Sequence, residues 1–386
     1  MKSVNPPKIL ILTQGLGVGG LEKTLIRIAT GLKRRASFEP QIYAYDHDPK
    51  KNVWSADLQH AQIPCLASLK GPGLSRSVLQ KIRELVRSEN IQIVHTHDLN
   101  ALVYGALAKL KGGGFKLVHT QHTFLHLDKL KHRIFERIFP RLADALVCPS
   151  QSLKNIYARH GFPGARIIAN GIDVPDLAYK REDRGAWLEL GPLGGEDASS
   201  FAKLKALGAQ RWVLVLGRVN VGKGQENFLS LWASMDPAFR SRTQVLFVGP
   251  PNDPEYLKVL KERARSLPDG ERLHWLGGST RPSQWMGVSD VFVSLSDFEG
   301  MPLAPVEASL AGLPLVLSDI GGHRDLGLPA TRFVAATEAR EVQEAIEGAQ
   351  APTESELSET ERRYKLESMV QSYEKVYRDV LGLGVS

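Results

Sequence analysis

The sequence predicts an α/β chain made of two tandem units, each a parallel sheet with helices on both faces. Three observations carry this. Short apolar runs alternate with longer stretches of helical period along most of the 386 residues. The runs are too uniformly apolar for a strand with one wet face, so both faces must be covered. Two glycine-rich loops, at 15–20 and 217–224, each follow such a run and open a helical stretch, as strand-to-helix turns of parallel sheets do.

In the first unit, Ile9–Leu12, Gln41–Tyr45, Ile91–His95, Phe115–His119, Ala145–Cys148 and Arg166–Ala169 read as short strands rich in β-branched residues. Leu21, Leu25, Ile28, Ala29 and Leu32 repeat at helical period between the first two, as do Leu79, Ile82, Leu85 and Val86 ahead of the third. From Val174 to Gln210 the pattern lapses into Gly, Pro and charge and reads as a linker or surface excursion. It resumes with Trp212–Leu216, Val245–Val248, Arg272–Leu276, Val291–Leu295 and Leu315–Leu317. Polar, acidic 352–363 reads as a second linker. The last helix carries Leu366, Met369, Val370, Tyr373, Val376, Tyr377 and Val380 on one broad stripe, so it must dock on something. The expected divisions are 1–175, 176–363 and 364–386.

Composition narrows the class. Charged residues at 24% and hydrophobic ones at 42% fit a soluble globular protein, and no window approaches the roughly 18 apolar residues of a membrane span. The apolar run near the N-terminus is cut by Thr13, Gln14 and Gly15, too early for a secretory signal. Cys65 and Cys148 have no paired spacing, which points to buried free thiols in a reducing cytoplasm. The net charge of +7 conceals an asymmetry: residues 1–172 carry +14 and the remainder −7. Anionic partners are drawn to the first part. Within it, Lys129 to Phe139 reads as a basic amphipathic helix. Leu130, Ile134, Phe135, Ile138 and Phe139 lie on one arc, with Lys129, Arg133 and Arg137 mainly opposite.

The motifs sit at strand ends. Gly15-Leu16-Gly17-Val18-Gly19-Gly20 matches the dinucleotide fingerprint, in which small residues let backbone amides approach an anion at a helix N-terminus. Asp46 would then serve the ribose. Leu216-Gly217-Arg218 and Val221-Gly222-Lys223-Gly224 place a guanidinium and an ammonium at one strand mouth, suited to phosphate. Glu299 and Glu307, in E-G-M-P-L-A-P-V-E, bracket a strand end and a helix start, where two carboxylates can meet sugar and ribose hydroxyls. Asp46-His47-Asp48 spells a D-x-D metal motif, but in a loop ahead of Pro49, Lys50 and Lys51, so no metal duty is expected.

From LGRVNVGKG through FVGP to SDFEGMPLAPVEASLAGLPLVLSDIGGHRDL, the chain resembles glycosyltransferase family 4, retaining enzymes of the GT-B fold. GVGGLEKTL, IVHTHD, VHTQHTF, CPSQSLKNIY, IIANGID and the terminal ESMVQSYEKVYRDVL extend the likeness over nearly the whole chain. The resemblance implies two Rossmann-like domains facing a central cleft, with the last helix crossing back to the first. It gives Arg218 and Lys223 the donor diphosphate, Glu299 the transferred sugar and Glu307 the ribose. The amides of Gly300, Met301, Pro302 and Leu303 fall where family members hold sugar and diphosphate, proline supplying only its position. Gly19 and Gly20 match a glycine pair near donor phosphate and acceptor, and His122 a histidine that approaches the donor sugar. His95 and His97 are expected to be structural, one of them packed in the strand end, and neither catalytic. The stretch after Arg324-Asp325-Leu326 is shorter than in relatives, and the base-selecting residues fall near Gly277 to Thr280.

The expected function is therefore transfer of a sugar from a nucleotide-diphosphate donor to an acceptor hydroxyl, with retention and without a metal or other cofactor. The acceptor would be a glycan, glycolipid or small molecule in cell-surface synthesis. The expected place is the cytoplasm, with weak peripheral contact to an anionic membrane and no nucleic-acid partner. Two rivals differ in class: a catalytically silent sugar-nucleotide-binding scaffold, and a dinucleotide-dependent oxidoreductase, which would leave Arg218, Lys223 and both glutamates idle.

Overall fold

The computed structural model describes residues 6–17, 19–123, 130–175, 179–191, 197–206 and 211–384. They form two compact units: the described residues up to Gly171 together with those from Tyr364 onward, and Ile172–Arg363. The break thus falls before Ile172, ahead of the expected 175.

The first unit holds seven parallel strands: β1 (Lys8–Thr13), β2 (Glu39–Ala44), β3 (Cys65–Ala67), β4 (Ile93–Thr96), β5 (Lys116–Thr120), β6 (Ala145–Cys148) and β7 (Arg166–Ile167), in the order β3-β2-β1-β4-β5-β6-β7. β1 explains its own apolar run. Ile9 and Ile11 enter the core on one face, Leu10 and Leu12 the core on the other, because successive side chains alternate across a strand. The three-residue β3 was not foreseen. It is an edge strand whose Cys65 and Leu66 are exposed, so it carries no apolar signal, and of the two thiols expected to be buried only Cys148 is.

The last helix, Leu366–Leu381, belongs to this unit and lies against the helix Gly20–Arg34. Met369, Val370, Tyr373, Val376 and Tyr377 of the expected stripe are buried in the shared core. The contact is close: a Cβ on Gly31 would stand 2.4 Å from Val370 Cγ2. Arg35 pairs with Glu367 in the first turn and with Glu374 at 2.9 Å, and Arg166 with Asp379 at 2.6 Å, fixing both ends. Residues 364–386 carry three charges of each sign, so the first unit keeps its +14.

The second unit has six parallel strands: β8 (Arg211–Leu216), β9 (Thr243–Val248), β10 (Leu273–Gly277), β11 (Val291–Ser294), β12 (Leu315–Ser318) and β13 (Thr331–Val334), in the order β10-β9-β8-β11-β12-β13. β13, a short edge strand that begins with Thr and Arg, was also missed. Two expected linkers are corrected here. Within 174–210, helices Arg184–Glu189 and Ala198–Ala206 bury Trp187, Leu188, Phe201 and Leu204. Trp187 meets Trp285 edge-on at 4.5 Å, and Arg184 lies over Trp212 while pairing with Asp290 at 2.9 Å. Gly and Pro masked this segment; two aromatic anchors and one arginine hold it in the core. The stretch 192–196, with Pro192, Gly194 and Gly195, lies outside the described residues. The second expected linker contains the helix Glu354–Arg363, in which Thr353 caps through Glu356 and one face meets the helix Leu303–Leu310. It buries little beyond Thr360, so its sequence shows no apolar stripe.

Candidate active site

Open parallel sheets bind ligands where strand order reverses, beyond the carboxyl ends of the strands. In the second sheet this point lies between β8 and β11, and the loops leaving those strands carry the predicted residues. Gly224 caps the helix Gln225–Trp232 at φ +83°, and a Cβ there would lie 2.4 Å from the Leu295 carbonyl carbon. Only glycine lets the loop lie flat against the end of β11. The Asp297 N–H donates to Gly222 O at 3.0 Å, and Asn227 Nδ2 donates to Leu295 O at 2.9 Å and to Asp297 Oδ1 at 2.7 Å. The two loops are stitched into one rim.

On that rim Lys223 Nζ donates to both carboxylate oxygens of Glu299, at 2.8 and 2.7 Å, and Ser296 Oγ donates to Glu299 Oε1 at 2.9 Å. The Glu299 side chain is only 10% exposed and the Lys223 side chain 33%, so the ammonium is the more accessible partner. Arg218 stands exposed on the same loop. Gly300, Met301 and Leu303 are buried where the chain enters the helix Leu303–Leu310, with Pro302 at its cap and Glu307 partly buried inside it.

Sequence reasoning missed the layer beneath. A Cβ on Gly322 would come 2.1 Å from Glu299 O, so the Ile320–His323 turn supports the Glu299 backbone directly. Ser318 Oγ donates to Ser296 O at 2.6 Å. Buried His323 stands with Nδ1 2.9 Å from Ser318 O and Nε2 3.3 Å from Ser294 Oγ. Burial pushes its pKa below the usual imidazole range, keeping a second cation away from Lys223. The G-G-H run was visible, but nothing in it pointed to Glu299.

In the first sheet the order reverses between β1 and β4. Gly19, with extended backbone, caps the helix that begins at Gly20. The preceding loop is anchored by Trp54 Nε1, which donates to Gly17 O at 3.0 Å. It is anchored again by Asp98, which accepts from Gln14 N at 3.2 Å and from Ala101 N at 2.7 Å. Asp46 and Asp48 of the D-x-D run serve the backbone, accepting from Lys70 N at 3.3 Å and Lys50 N at 3.0 Å.

His122 follows β5 and is partly buried, and it belongs to a cluster of imidazoles. Its Nε2 lies 3.1 Å from His97 Nδ1, and His97 Nε2 lies 3.2 Å from His95 Nδ1. His119 Nε2 meets Gln121 Oε1 at 2.8 Å, and Gln121 Nε2 donates to buried Glu136 at 2.7 Å. Desolvation first, and neighbouring imidazoles second, push His122 down to about 3 and hold His95 and His97 well below their ordinary value. All three rings are neutral at neutral pH.

The helix Leu130–Ile138 divides the expected apolar arc. Phe135 and Phe139 pack on the core, whereas Leu130, Ile134 and Ile138 are 71%, 46% and 50% exposed. The exposed three recur at i, i+4 and i+8, flanked by exposed Lys131, Arg133 and Arg137. Lys129 lies outside the described residues.

Residues 18–175 match the family described as Glycosyltransferase Family 4, and 197–363 match Glycosyl transferases group 1. The chain belongs to glycosyltransferase family 4. Among relatives of this family 4 chain, the GDP-mannose:cellobiosyl-diphosphopolyprenol alpha-mannosyltransferase of Xanthomonas oryzae pv. oryzae is 26% identical over 78% of this chain and 76% of its own length. The UDP-Gal:alpha-D-GlcNAc-diphosphoundecaprenol alpha-1,3-galactosyltransferase of Escherichia coli is 25% identical over 64% of this chain and 63% of its own. HepE of Anabaena, solved with UDP and glucose, superposes with a TM-score of 0.75 at 20% identity, covering 97% of this chain and all of its own. The fold is GT-B, as the family 4 resemblance implied.

Proposed function

We propose that this family 4 member transfers a sugar from a nucleoside-diphosphate donor to an acceptor hydroxyl with retention of configuration, in synthesis of a cell-surface glycan or glycolipid. The observation that carries the reading is the bidentate Lys223–Glu299 pair on the β8–β11 rim, whose β8 loop also carries exposed Arg218. A cation for diphosphate and a carboxylate for a sugar cation stand in contact, which suits a reaction that separates these two charges. The two relatives above, named for UDP- and GDP-linked sugars and polyprenol-linked acceptors, support the substrate class but not one base.

In this mechanism the second unit holds the donor. Arg218, Lys223 and the amides opening the helix Leu303–Leu310 stabilise charge growing on the leaving diphosphate, the kind of electrostatic contribution that usually dominates. Glu299 favours the cationic sugar, Glu307 holds the ribose, and a diphosphate oxygen takes the acceptor proton on the face it leaves. Gly19, Gly20 and His122 of the basic first unit serve donor phosphate, acceptor and transferring sugar. The countercharge comes from side chains and amides, so no metal is required.

A thermal-shift screen of nucleotide sugars, run with and without EDTA, tests the reading. A true donor at a hundred times its Kd should stabilise the chain by about 2.7 kcal/mol, with or without the chelator. Stabilisation by a nicotinamide dinucleotide alone would favour the oxidoreductase. Donor binding without diphosphate release, across lipid-linked and soluble acceptors, would favour the scaffold.

Membrane contact belongs to the same proposal. Among the described residues no helix is long and apolar enough to cross a membrane. The exposed row Leu130, Ile134 and Ile138 between basic side chains suits shallow contact with an anionic cytoplasmic leaflet, each basic group adding about 1 kcal/mol. Vesicle co-sedimentation should show weak binding that fades with salt. Arg133→Glu with Arg137→Glu should reduce it and leave nucleotide binding intact. Equal binding at low and high salt, or none to anionic vesicles, would exclude this surface.

A further inference from the structure

The imidazole cluster of the first unit carries a role that neither the family resemblance nor the reading above assigns. We propose that His97 is a positioning residue that sets which ring nitrogen of His122 carries its proton, and that the last helix feeds into this choice through Tyr377. The proposal rests on the reading of His122 as a residue at the transferred sugar.

The geometry makes the coupling. His97 Nδ1 and His122 Nε2 stand 3.1 Å apart with ring planes 21° apart and centroids at 5.3 Å, an edge-to-edge contact in which one nitrogen must donate and the other accept. On its other side His97 Nε2 meets His95 Nδ1 at 3.2 Å, a joint tilted by 47° and therefore the weaker of the two. The Tyr377 hydroxyl reaches the same His95 Nδ1 at 2.8 Å, while His95 Nε2 meets Thr120 Oγ1 at 2.8 Å. Thr120 in turn touches the hydroxyl of Tyr373, also on the last helix, at 3.1 Å.

A neutral imidazole has one N–H and one lone pair, so two facing nitrogens cannot both donate or both accept. Only two proton orders satisfy both joints. In one, His95, His97 and His122 all carry hydrogen on Nε2, and His122 offers a lone pair at Nδ1. In the other, all three carry it on Nδ1, and His122 offers an N–H donor. The rings must therefore share a tautomer. His122 acts on a ligand hydroxyl as acceptor or donor according to hydroxyl orientations on β5 and the last helix. Packing alone does not call for this arrangement, since burying imidazoles costs more than burying apolar side chains of similar size.

Ring-nitrogen NMR on the full-length chain, with ¹⁵N-histidine, reads the tautomers without any ligand. The expected result is one shared tautomer for His95, His97 and His122. His97 and His122 in opposite tautomers in the wild-type chain would overturn the proposal, whatever the variants do. Tyr377→Phe removes the hydroxyl on His95 and should shift the populations at His97 and His122. His97→Gln keeps a donor or acceptor toward His95 but loses the contact to His122, whereas His97→Asn keeps an amide near the Nδ1 position.

With the donor that stabilises the wild-type chain, His97→Gln should lower kcat about tenfold, the order by which orienting partners of an imidazole count. His97→Asn should recover part of the loss, and affinity for the free nucleoside diphosphate should not move in either. Equal kcat in His97→Gln and wild type, or unchanged tautomers in Tyr377→Phe, would overturn the relay. His122→Ala separates the two readings. If it keeps wild-type turnover, His122 is not a site residue and the underlying reading fails. If it loses turnover while the wild-type tautomers disagree, the relay alone fails.

Discussion

Glu299→Gln should lower turnover by roughly a hundredfold or more, while affinity for free nucleoside diphosphate holds or tightens. The substitution keeps size but turns one acceptor oxygen into a donor and removes the negative charge that favours a cationic sugar. It also releases Lys223, whose ammonium is bound to both Glu299 oxygens, to interact fully with the diphosphate. Glu307→Gln should behave differently, raising the donor KM through a lost ribose contact with little change in kcat. Steady-state kinetics with calorimetry of the free diphosphate separate the two. A kcat effect at Glu307 and a KM effect at Glu299 would show their roles reversed.

Lys223→Ala should weaken both donor and free diphosphate by about 2–3 kcal/mol, roughly 30- to 150-fold in Kd. Two causes act together. The phosphate loses a charge-assisted hydrogen bond, and the Glu299 carboxylate, 10% exposed, is left facing the diphosphate without its counter-ion. The double variant Lys223→Ala with Glu299→Gln should therefore bind diphosphate better than Lys223→Ala alone, a coupling that a double-mutant cycle by calorimetry measures directly. Arg218→Ala should likewise weaken diphosphate binding. Unchanged diphosphate affinity in both single variants would refute the phosphate clamp. Strict additivity of Lys223 and Glu299 would mean their contact has no part in binding.

Much of the fold was legible because buried parallel strands announce themselves. Ile9–Leu12 and Trp212–Leu216 are apolar on both faces, and no other local structure uses such a run so economically. The site loops were legible for a related reason. A chain that must lie against a neighbouring strand end, as at Gly224, accepts only glycine, and that constraint shows locally. Elements whose stability comes from partners elsewhere were not legible. The exposed edge β3 and the nearly all-polar helix Glu354–Arg363 have no stripe to detect, and the helix with Trp187 looked like linker until Trp285 and Asp290 came alongside it.

The sequence by itself determined the two tandem sheets, the glycine turns and the residue types on each rim, since these follow from local periodicity and backbone permissiveness. Tertiary structure alone decided which charges meet. Lys223 and Glu299 are 76 residues apart, and Tyr377 and His95 are 282 apart. A side chain's partner depends on strand order and loop direction, which no local pattern encodes. Pairing and burial in turn decide whether an ammonium is spent on a carboxylate or an imidazole is held neutral. The chemistry of this chain was therefore present in its residue list, but its charge state was settled only by folding.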